Sequence, residues 1–390
     1  MATTDVQQDP VALLDVGRGN SVIRDEVLAA IARVYDSGRF LYGPEVAELE
    51  GEIARRCHVP HAAGCASGSD ALLLALMALG VQPGDEVIVP SFTFFATASC
   101  VHRLGATIVF ADIEPRTYTI DPQDVAAKIT SRTRAIIPVH LFGHPAKMDQ
   151  LCALGIQHDI PIVEDAAQAI GAAYHGRPVC SWGQIGCISF YPTKNLGGFG
   201  DGGMLTASNA TLVDRLRLLA GHGMRPRYYH SVVGINSRLD SFQAAGLLIK
   251  LRLLDAYTAA RQANAARYVD LLRDAGLERA GVVELPAADR AAFHVWNQFS
   301  LRIGGGHRNA LREYLRDRGI GTEIYYPVPL HRQQCFRDLG YDWGSLPETE
   351  RAAEEILHLP IYPEITAEEQ QRVVAAIRAF YDAGAYRAVA

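Results

Sequence analysis

The chain has 390 residues, of which 49% are hydrophobic and 21% charged, as is typical of a globular protein with a large core. Its 37 Lys and Arg against 43 Asp and Glu leave a formal net charge of −6, which argues against a general nucleic-acid binder. No apolar run reaches the roughly 18 residues needed to cross a bilayer, so the sequence predicts no membrane partner. The first ten residues lack the basic start and apolar stretch of a secretory signal. The 7 cysteines form no C-x-x-C pair, which indicates reduced thiols and a cytoplasmic location.

Cys57, His58 and His61 are close enough in the sequence to suggest a metal site. No second cluster of cysteine or histidine has matching spacing, however, and zinc sites usually need one. The sequence therefore favours a helix end followed by a turn here, and it predicts no metal site.

The first part of the chain predicts helices that lead into an anion-binding turn. Apolar residues recur at helical spacing over residues 22–36 and 45–57. Ser67 or Ser69 is then a natural N-cap for a helix that runs to about Leu79. The backbone N–H groups and the positive dipole at such a helix start favour an anion, although a plain capped core helix is an equal alternative.

From residue 85 onwards, strand and helix patterns alternate. The predicted strands are 86–89, 106–110, 134–141, 161–164, 185–190 and 204–207, and the predicted helices are 96–104, 122–129, 147–158 and 210–219. The strands are mostly continuous apolar runs, which suits a mostly parallel sheet covered by helices on both faces. We therefore expect an α/β unit in which ligands bind at the edge where the loops follow the strands.

The segment after the strand 185–190 carries a single lysine, Lys194, among prolines and glycines. Such a glycine-rich chain allows another group to approach its backbone closely. A Schiff-base lysine needs a dry pocket, because only the neutral amine is nucleophilic. The alternative is an ordinary surface lysine in a loop.

Two other loops fall on the same predicted edge, residues 91–94 and 165–168. An acidic residue at the end of a buried strand is costly unless it meets a positive partner. Asp165 is therefore expected either to pair with a structural arginine or to face a cationic group of a ligand.

Pyridoxal 5′-phosphate (PLP) requires the four features that meet at this edge. Its aldehyde condenses with a lysine such as Lys194, and its pyridinium N–H needs an anion such as Asp165. Its ring needs a flat apolar cover, for which Phe94 is suited. Its phosphate needs backbone N–H and hydroxyl groups, which Gly68, Ser69 and Ser189 can supply.

The last third of the chain has a different pattern. One long helical pattern covers residues 241–272, and we place a domain boundary within it. Strand patterns at 293–303, an extended segment at 322–325, and helical patterns at 309–318, 351–357 and 367–381 follow. They predict a small α+β domain.

The chain resembles the DegT/DnrJ/EryC1/StrS family of sugar aminotransferases from Gly38 to about Pro363. The motifs that carry the resemblance are S-G-S-D-A-L at 67–72, V-P-S-F-T-F-F-A-T at 89–97, P-V-H-L-F-G at 138–143, E-D-A-A-Q-A-I-G-A at 164–172, S-F-Y-P-T-K-N-L-G at 189–197, G-D-G-G at 200–203, N-S-R-L-D at 236–240 and Y-P-V-P-L-H at 326–331. The resemblance implies an aspartate-aminotransferase-like fold (PLP fold type I). Its large domain, residues 1–257, would hold a mostly parallel seven-stranded sheet, and residues 258–390 would form the small α+β domain.

The resemblance also implies a role for each matching position. Lys194 matches the lysine that binds the cofactor and shuttles the proton, and Asp165 matches the partner of the pyridine nitrogen. Gln168 matches the residue beside the ring hydroxyl, and Phe94 matches the aromatic that stacks on the ring. Gly68, Ser69 and Ser189 match phosphate ligands. Asn236 matches a residue that reaches the phosphate of the neighbouring subunit, which implies a homodimer with shared active sites.

The sequence departs from the family at three positions near the site. Ser69 stands where the family usually has Thr, but the hydroxyl is kept. Ile235 and Tyr325 stand where many members have Tyr and His, and the resemblance places these two positions near the sugar and not near the cofactor. Tyr326 and His331 are candidate sugar contacts, although packing between the two domains is an equal alternative for both.

The implied activity is PLP-dependent transamination of a keto group on a nucleotide-activated sugar, with glutamate as the expected amino donor. Lys194 favours this over the dehydration carried out by family members that have His in its place. The alternatives are an aminotransferase for a cyclitol or another ketone, a PLP-dependent sensor or regulatory protein, and a nucleotide-binding α/β protein without PLP. The last is disfavoured because no G-x-G-x-x-G or Walker lysine is present.

Overall fold

The computed structural model describes residues 9–384, so residues 1–8 and 385–390 of the two predicted domains lie outside the described part. The helices are α1 (Val16–Ser21), α2 (Arg24–Ser37), α3 (Pro44–Arg56), α4 (Gly68–Ala78), α5 (Ala96–Arg103), α6 (Pro122–Lys128), α7 (Met148–His158), α8 (Ala210–Ala220), α9 (Ser241–Leu251), α10 (Leu254–Asp274), α11 (Arg308–Arg316), α12 (Pro347–Glu355) and α13 (Ala367–Asp382). The strands are β1 (His61–Cys65), β2 (Glu86–Pro90), β3 (Thr107–Ala111), β4 (Thr133–Ile136), β5 (Val163–Asp165), β6 (Ala173–Tyr174), β7 (Arg177–Pro178), β8 (Ile185–Ser189), β9 (Gly203–Ala207), β10 (Val283–Glu284), β11 (Ala292–Phe293), β12 (Phe299–Ile303) and β13 (Ile356–Leu359).

The central strands form two sheets that lie edge to edge. In the first sheet β9 pairs antiparallel with both β1 and β8, and β8 pairs parallel with β5. In the second sheet β2 lies between β3 and β4 and is parallel to both. Two isolated parallel bridges, Ile136–Ile162 and Val139–Asp165, join the sheets beside β5. The predicted α/β class with largely parallel pairing is present. The strands form two smaller sheets, one of them mixed, and not the one seven-stranded sheet that was expected.

Helices cover both faces of these sheets, which explains why the strands are apolar along their whole length. All five residues of β2 are buried. On one face α4 packs against α5, α8 and β8, and all of its residues from Ala71 to Leu76 are buried. Ser67 caps α4, because its Oγ accepts a hydrogen bond from the N–H of Asp70 at 3.1 Å. Of the two N-caps that the sequence allowed, the structure has Ser67.

The residues of the helical pattern 241–272 form two helices and not one, because α9 ends at Leu251 and α10 begins at Leu254. The two helices pack on different parts of the protein: α9 contacts α2 and α3, whereas α10 contacts α13. The two residues at the interruption, Arg252 and Leu253, are neither Pro nor Gly. We therefore attribute the interruption to the change of packing partner.

The C-terminal part contains the antiparallel sheet β10-β12-β13, with α10, α11 and α13 packed together. The prediction of a helix over 351–357 was wrong at its end, since α12 stops at Glu355 and β13 begins at Ile356. Leu357 pairs with Leu301 of β12, and this contact between residues far apart in the chain overrides the local helical pattern. The sequence also missed β1, whose Ala-Ala-Gly centre has little strand propensity.

No helix within residues 9–384 is both long and apolar enough to span a bilayer.

Candidate active site

A cavity of about 750 Å³ lies where β2, β5 and β8 end, and we call it the site cavity. Its lining residues are Ser67–Ser69, Leu72, Thr93–Ala96, Val139, Leu141, Asp165, Ala167, Gln168, Ser189, Tyr191, Thr193, Lys194, Asp201, Gln298, Tyr325–Val328, Leu330 and Gln333. Three separate strand ends, the start of α4 and the C-terminal part of the chain therefore meet around one space. A second groove, of about 790 Å³, lies between α2, α3 and α9 and contains none of the predicted site residues.

Lys194 lies in the tight loop that follows β8. Its backbone N–H donates to the carbonyl of Tyr191 at 2.9 Å, and Gly198 donates to the carbonyl of Phe190 at 2.7 Å. A Cβ at Gly197 would lie 2.3 Å from the carbonyl oxygen of Pro192, so the loop can close only with glycine there. Burial lowers the pKa of Lys194 from 10.5 to about 8, and the nearby Asp165 partly opposes this change.

Asp165 lies at the end of β5 and is 5% exposed. Burial raises the pKa of its carboxyl, while Thr97, the N–H of Ala167, Lys194 and His140 lower it. The hydroxyl of Thr97 donates to Oδ2 at 2.8 Å, and the N–H of Ala167 donates to Oδ1 at 3.1 Å. Each oxygen therefore keeps a lone pair for a further donor. No arginine within residues 9–384 pairs with Asp165, so the expectation that it faces a cation in the cavity fits the structure better.

Glu164 points to the opposite side of β5 and anchors this strand end. Its carboxylate accepts hydrogen bonds from the backbone N–H groups of Cys180, Trp182 and Gly183 at 2.7–2.8 Å. It also accepts from Nε2 of His140 at 3.0 Å, because Nδ1 of His140 is itself the acceptor for the N–H of Ala146. Four hydrogen bonds to one buried carboxylate hold β5, and hence Asp165, in place.

The start of α4 and the end of β8 form a narrow cradle. A Cβ at Gly68 would lie 2.7 Å from Cβ and 3.1 Å from Oγ of Ser189, so only glycine permits this approach. The N–H groups of Gly68 and Ser69 lie in the first turn of α4, where they have no acceptor within the helix. The three predicted phosphate ligands therefore meet at one point, which is suited to an anion.

Phe94, Gln168 and Tyr326 line another side of the cavity. The ring of Phe94 is 57% exposed, which leaves one of its faces free for a planar ligand. The side-chain carbonyl of Gln168 accepts from the N–H of Phe142 at 2.7 Å, and this directs its amide nitrogen towards the hydroxyl of Tyr326, 3.5 Å away. Tyr326 thus contacts the predicted cofactor side of the cavity.

Two predicted residues do not line the cavity. Asn236 is exposed and accepts a hydrogen bond from Arg238 at 2.7 Å, so its predicted role in a second subunit's site stays a prediction. His331 is 1% exposed and bonds to Ser91 and Glu350. The structure therefore shows no contact of His331 with the cavity. It fits the alternative, in which His331 packs two parts of the chain together.

Sequence reasoning missed several residues of the site. Thr97 orients Asp165 through a hydrogen bond, and the only indication of this role in the sequence is the place of Thr97 in the motif at 89–97. Glu164 and His140 also lie within quoted motifs, but nothing local indicated that they pair. Tyr191, Asp201, Gln298 and Gln333 line the cavity without having been singled out.

The comparisons with known proteins agree with this arrangement. A profile of the DegT/DnrJ/EryC1/StrS aminotransferase family matches residues 21–378. The chain is 45% identical over 371 residues to a protein named pleiotropic regulatory protein of Geobacillus stearothermophilus, covering 95% of this chain and 98% of the relative. It is 46% identical to the dTDP-3-amino-3,4,6-trideoxy-alpha-D-glucose transaminase of Streptomyces venezuelae, covering 94% and 95% of the two chains.

Solved structures show the same likeness. The crystal structure of S. venezuelae DesV in complex with a ketimine intermediate superposes with a TM-score of 0.91 at 45% identity, covering 96% of this chain and 99% of DesV. NtdA of Bacillus subtilis with bound cofactor PMP superposes with a TM-score of 0.88 at 30% identity, covering 99% and 87%. The chain, with these motifs and this fold, belongs to the DegT/DnrJ/EryC1/StrS aminotransferase family.

Proposed function

We propose that the protein is a PLP-dependent aminotransferase that transfers an amino group to a keto carbon of a nucleotide-activated sugar. The observation that carries the proposal is the pair Lys194 and Asp165 in one cavity. A lysine with a pKa of about 8 and a buried carboxylate with spare acceptor capacity are the two groups that this chemistry needs.

The residues of the cavity suit PLP on three further grounds. The cradle presents to a phosphate the first-turn N–H groups of Gly68 and Ser69 and the hydroxyls of Ser69 and Ser189. The free face of Phe94 can cover a ring, and Gln168 presents an amide to a ring substituent. When bound, the cofactor supplies an aldehyde for the amino group and a protonated ring that takes up electron density from the substrate carbon.

The side chains of the protein would perform the proton transfers. Nζ of Lys194 accepts a proton from the α-carbon of the donor amino acid and delivers one to the carbon that receives the amino group. The hydrogen bonds from Thr97 and Ala167 favour the ionised form of Asp165 against the effect of burial, and that charge would stabilise a protonated ring nitrogen.

The substrate class rests on the size of the cavity and on the relatives. A volume of about 750 Å³ holds a cofactor and leaves room for a sugar. The relative in S. venezuelae is named for a dTDP-linked 3-amino sugar, so a 3-keto nucleotide sugar is the first substrate to test. Glutamate is the amino donor that we expect.

The test is the absorbance spectrum of the purified protein with PLP, first alone, then with glutamate, and then with 3-keto and 4-keto nucleotide sugars. We expect a visible band that glutamate removes and one class of keto sugar restores. A protein that shows no visible band with added PLP would contradict the proposal. A band that glutamate removes but that only cyclitol or other ketones restore would support the alternative substrate class.

A regulatory role is a second candidate, because the Geobacillus relative is named a regulatory protein. A cofactor that serves only as a signal does not require a lysine with a lowered pKa, whereas burial lowers the pKa of Lys194 to about 8. Turnover in the same assay separates the two functions: sustained formation of 2-oxoglutarate from glutamate supports the enzyme, and cofactor binding without turnover supports the sensor.

Four structural expectations accompany this function as proposals. The protein forms a homodimer, with Asn236 of one protomer near the phosphate of the other site. Its domains divide at residues 1–257 and 258–390, close to the break between α9 and α10. The two central sheets act as one seven-stranded layer through the bridges beside β5. The protein works in the cytoplasm, where its free cysteines stay reduced.

The reactivity of Lys194 should depend on pH with a midpoint near 8. Only the neutral amine attacks a carbonyl, and at pH 7 roughly a tenth of an amine with a pKa of 8 is neutral, against roughly three parts in ten thousand at a pKa of 10.5. Reactivity therefore rises with pH and levels off above 8. The measurement is peptide-resolved mass spectrometry of cofactor-free protein after brief labelling with an acylating reagent. A midpoint above 10 would contradict the low pKa.

Replacement of Gly68 with alanine should weaken PLP binding by about tenfold or more, because the added Cβ would lie 2.7 Å from Cβ of Ser189 and would widen the cradle. Fluorescence titration of cofactor-free protein with PLP measures the effect. The matched control is Gly51→Ala, on the exposed face of α3 with no atom within 4 Å of the new Cβ, which should leave the affinity unchanged. Equal affinity in both variants would exclude the cradle as the phosphate site.

A further inference from the structure

Ser91, His331 and Glu350 form a hydrogen-bonded relay that the proposed mechanism does not use. Oγ of Ser91 lies 2.7 Å from Nδ1 of His331, and Nε2 of His331 lies 3.1 Å from Oε1 of Glu350. The carboxylate of Glu350 can only accept, so Nε2 carries the proton. Burial lowers the pKa of His331, so the neutral ring has a free Nδ1 that accepts from the hydroxyl of Ser91.

A serine, histidine and acid in this order could indicate a hydrolase, but the burial of Ser91 excludes that role. Ser91 is 0% exposed and does not line the site cavity. Its Oγ also accepts from the backbone N–H of His331 at 3.1 Å, and its carbonyl accepts from the N–H of Leu330 at 2.9 Å. The serine therefore joins two chain segments and cannot reach a substrate.

The two joined segments lie side by side and both line the site cavity, since the ring centroids of Phe94 and Tyr326 are 6.3 Å apart. Ser91 lies two residues before the lining residues 93–96, and His331 directly follows Leu330, which lines the cavity together with residues 325–328. Glu350 ties a third segment to them, because it accepts from the N–H of Gly344 at 2.7 and 2.9 Å. The rings of Phe110 and Tyr341 lie within 6.5 Å of the His331 ring, and this apolar setting strengthens the hydrogen bonds.

We propose that Ser91, His331 and Glu350 are positioning residues that hold these two lining segments in a fixed position relative to each other and thereby set the affinity for the keto sugar. This inference rests on the proposed function. Of the predicted cofactor contacts, Phe94 lies on a joined segment, whereas Lys194, Asp165 and Gly68 lie on others. The relay should therefore influence the sugar and leave the affinity for PLP essentially unchanged.

The test compares Ser91→Ala, Glu350→Ala and Glu350→Gln with the wild type. We expect Ser91→Ala and Glu350→Ala to raise the KM for the keto sugar about tenfold, with kcat within about threefold and the affinity for PLP unchanged. Glu350→Gln keeps an acceptor for Nε2 of His331 and should restore most of the affinity. The matched control is Glu354→Ala, an exposed residue on the same helix, which should leave KM unchanged. A lowered melting temperature with unchanged KM in both alanine variants would overturn the inference.

A second readout does not depend on the substrate. If Ser91 and Glu350 act through His331, the decreases in melting temperature caused by the two alanine substitutions should not add. The double variant should then be about as stable as the less stable single variant. Additive decreases would overturn the relay. If the wild type accepts no keto sugar, the proposed function fails in the spectral assay, while this unfolding cycle still decides whether the relay exists.

Discussion

Replacement of Lys194 with alanine should lower kcat/KM by at least about ten-thousandfold, the upper end of what a single general base contributes. The variant loses both the amine that binds the cofactor and the group that moves the proton. The loop over residues 190–202 contains no other lysine that could replace it. The measurement is the formation of 2-oxoglutarate from glutamate in the presence of an accepted keto sugar. Borohydride reduction in the presence of PLP should also add the cofactor mass to the Lys194 peptide of the wild type and not to the variant.

The control for this experiment is Lys250→Ala. Burial lowers the pKa of Lys250 to about 8 as well, but its Nζ lies 5.0 Å from the centroid of the Phe199 ring and it does not line the site cavity. A low pKa by itself therefore does not make the active amine, and Lys250→Ala should retain turnover. Substantial turnover in Lys194→Ala would refute the assignment of the catalytic lysine.

Replacement of Asp165 with asparagine should lower kcat by about a hundredfold to a thousandfold, comparable to the cost of removing one preorganised hydrogen-bond donor from an oxyanion hole. The amide oxygen can accept from the N–H of Ala167, and the amide NH2 can donate to the hydroxyl of Thr97, so both contacts are kept while the negative charge at the ring nitrogen is lost. Steady-state kinetics and the visible spectrum measure the effect on rate and on the state of the cofactor.

Asp159→Asn is the matched control for Asp165→Asn. Asp159 is exposed at the end of α7 with φ of 54°, a conformation that asparagine tolerates well, so the same chemical change should leave kcat unaltered. If Asp165→Asn kept the kcat of the wild type, the carboxylate would have no electrostatic role and the ring nitrogen would need another partner.

The C-terminal part shows how local signals can mislead. The run Arg351–Leu357 has helical character, but Ile356 and Leu357 instead pair with β12 and complete a buried sheet. The same holds for β1, since its alanines and glycine form a strand only because β9 lies alongside. Strand pairing depends on residues more than 50 positions away, which leaves little local trace in a sequence.

The sequence by itself determined the alternation of buried strands and helices, the glycine-rich loop around Lys194 and the acid at the end of β5. These follow from local rules: continuous apolar runs, turn residues and the cost of burying a charge. Together with the family motifs, they predict that Lys194, Asp165 and the turn at Gly68 meet at one edge of the sheet, as they do in the structure. Only the tertiary structure decided which groups tune that pair and what His331 does. Thr97 donates to Asp165 across 68 positions, and Ser91 bonds to His331 across 240, and such contacts exist only once the chain has folded.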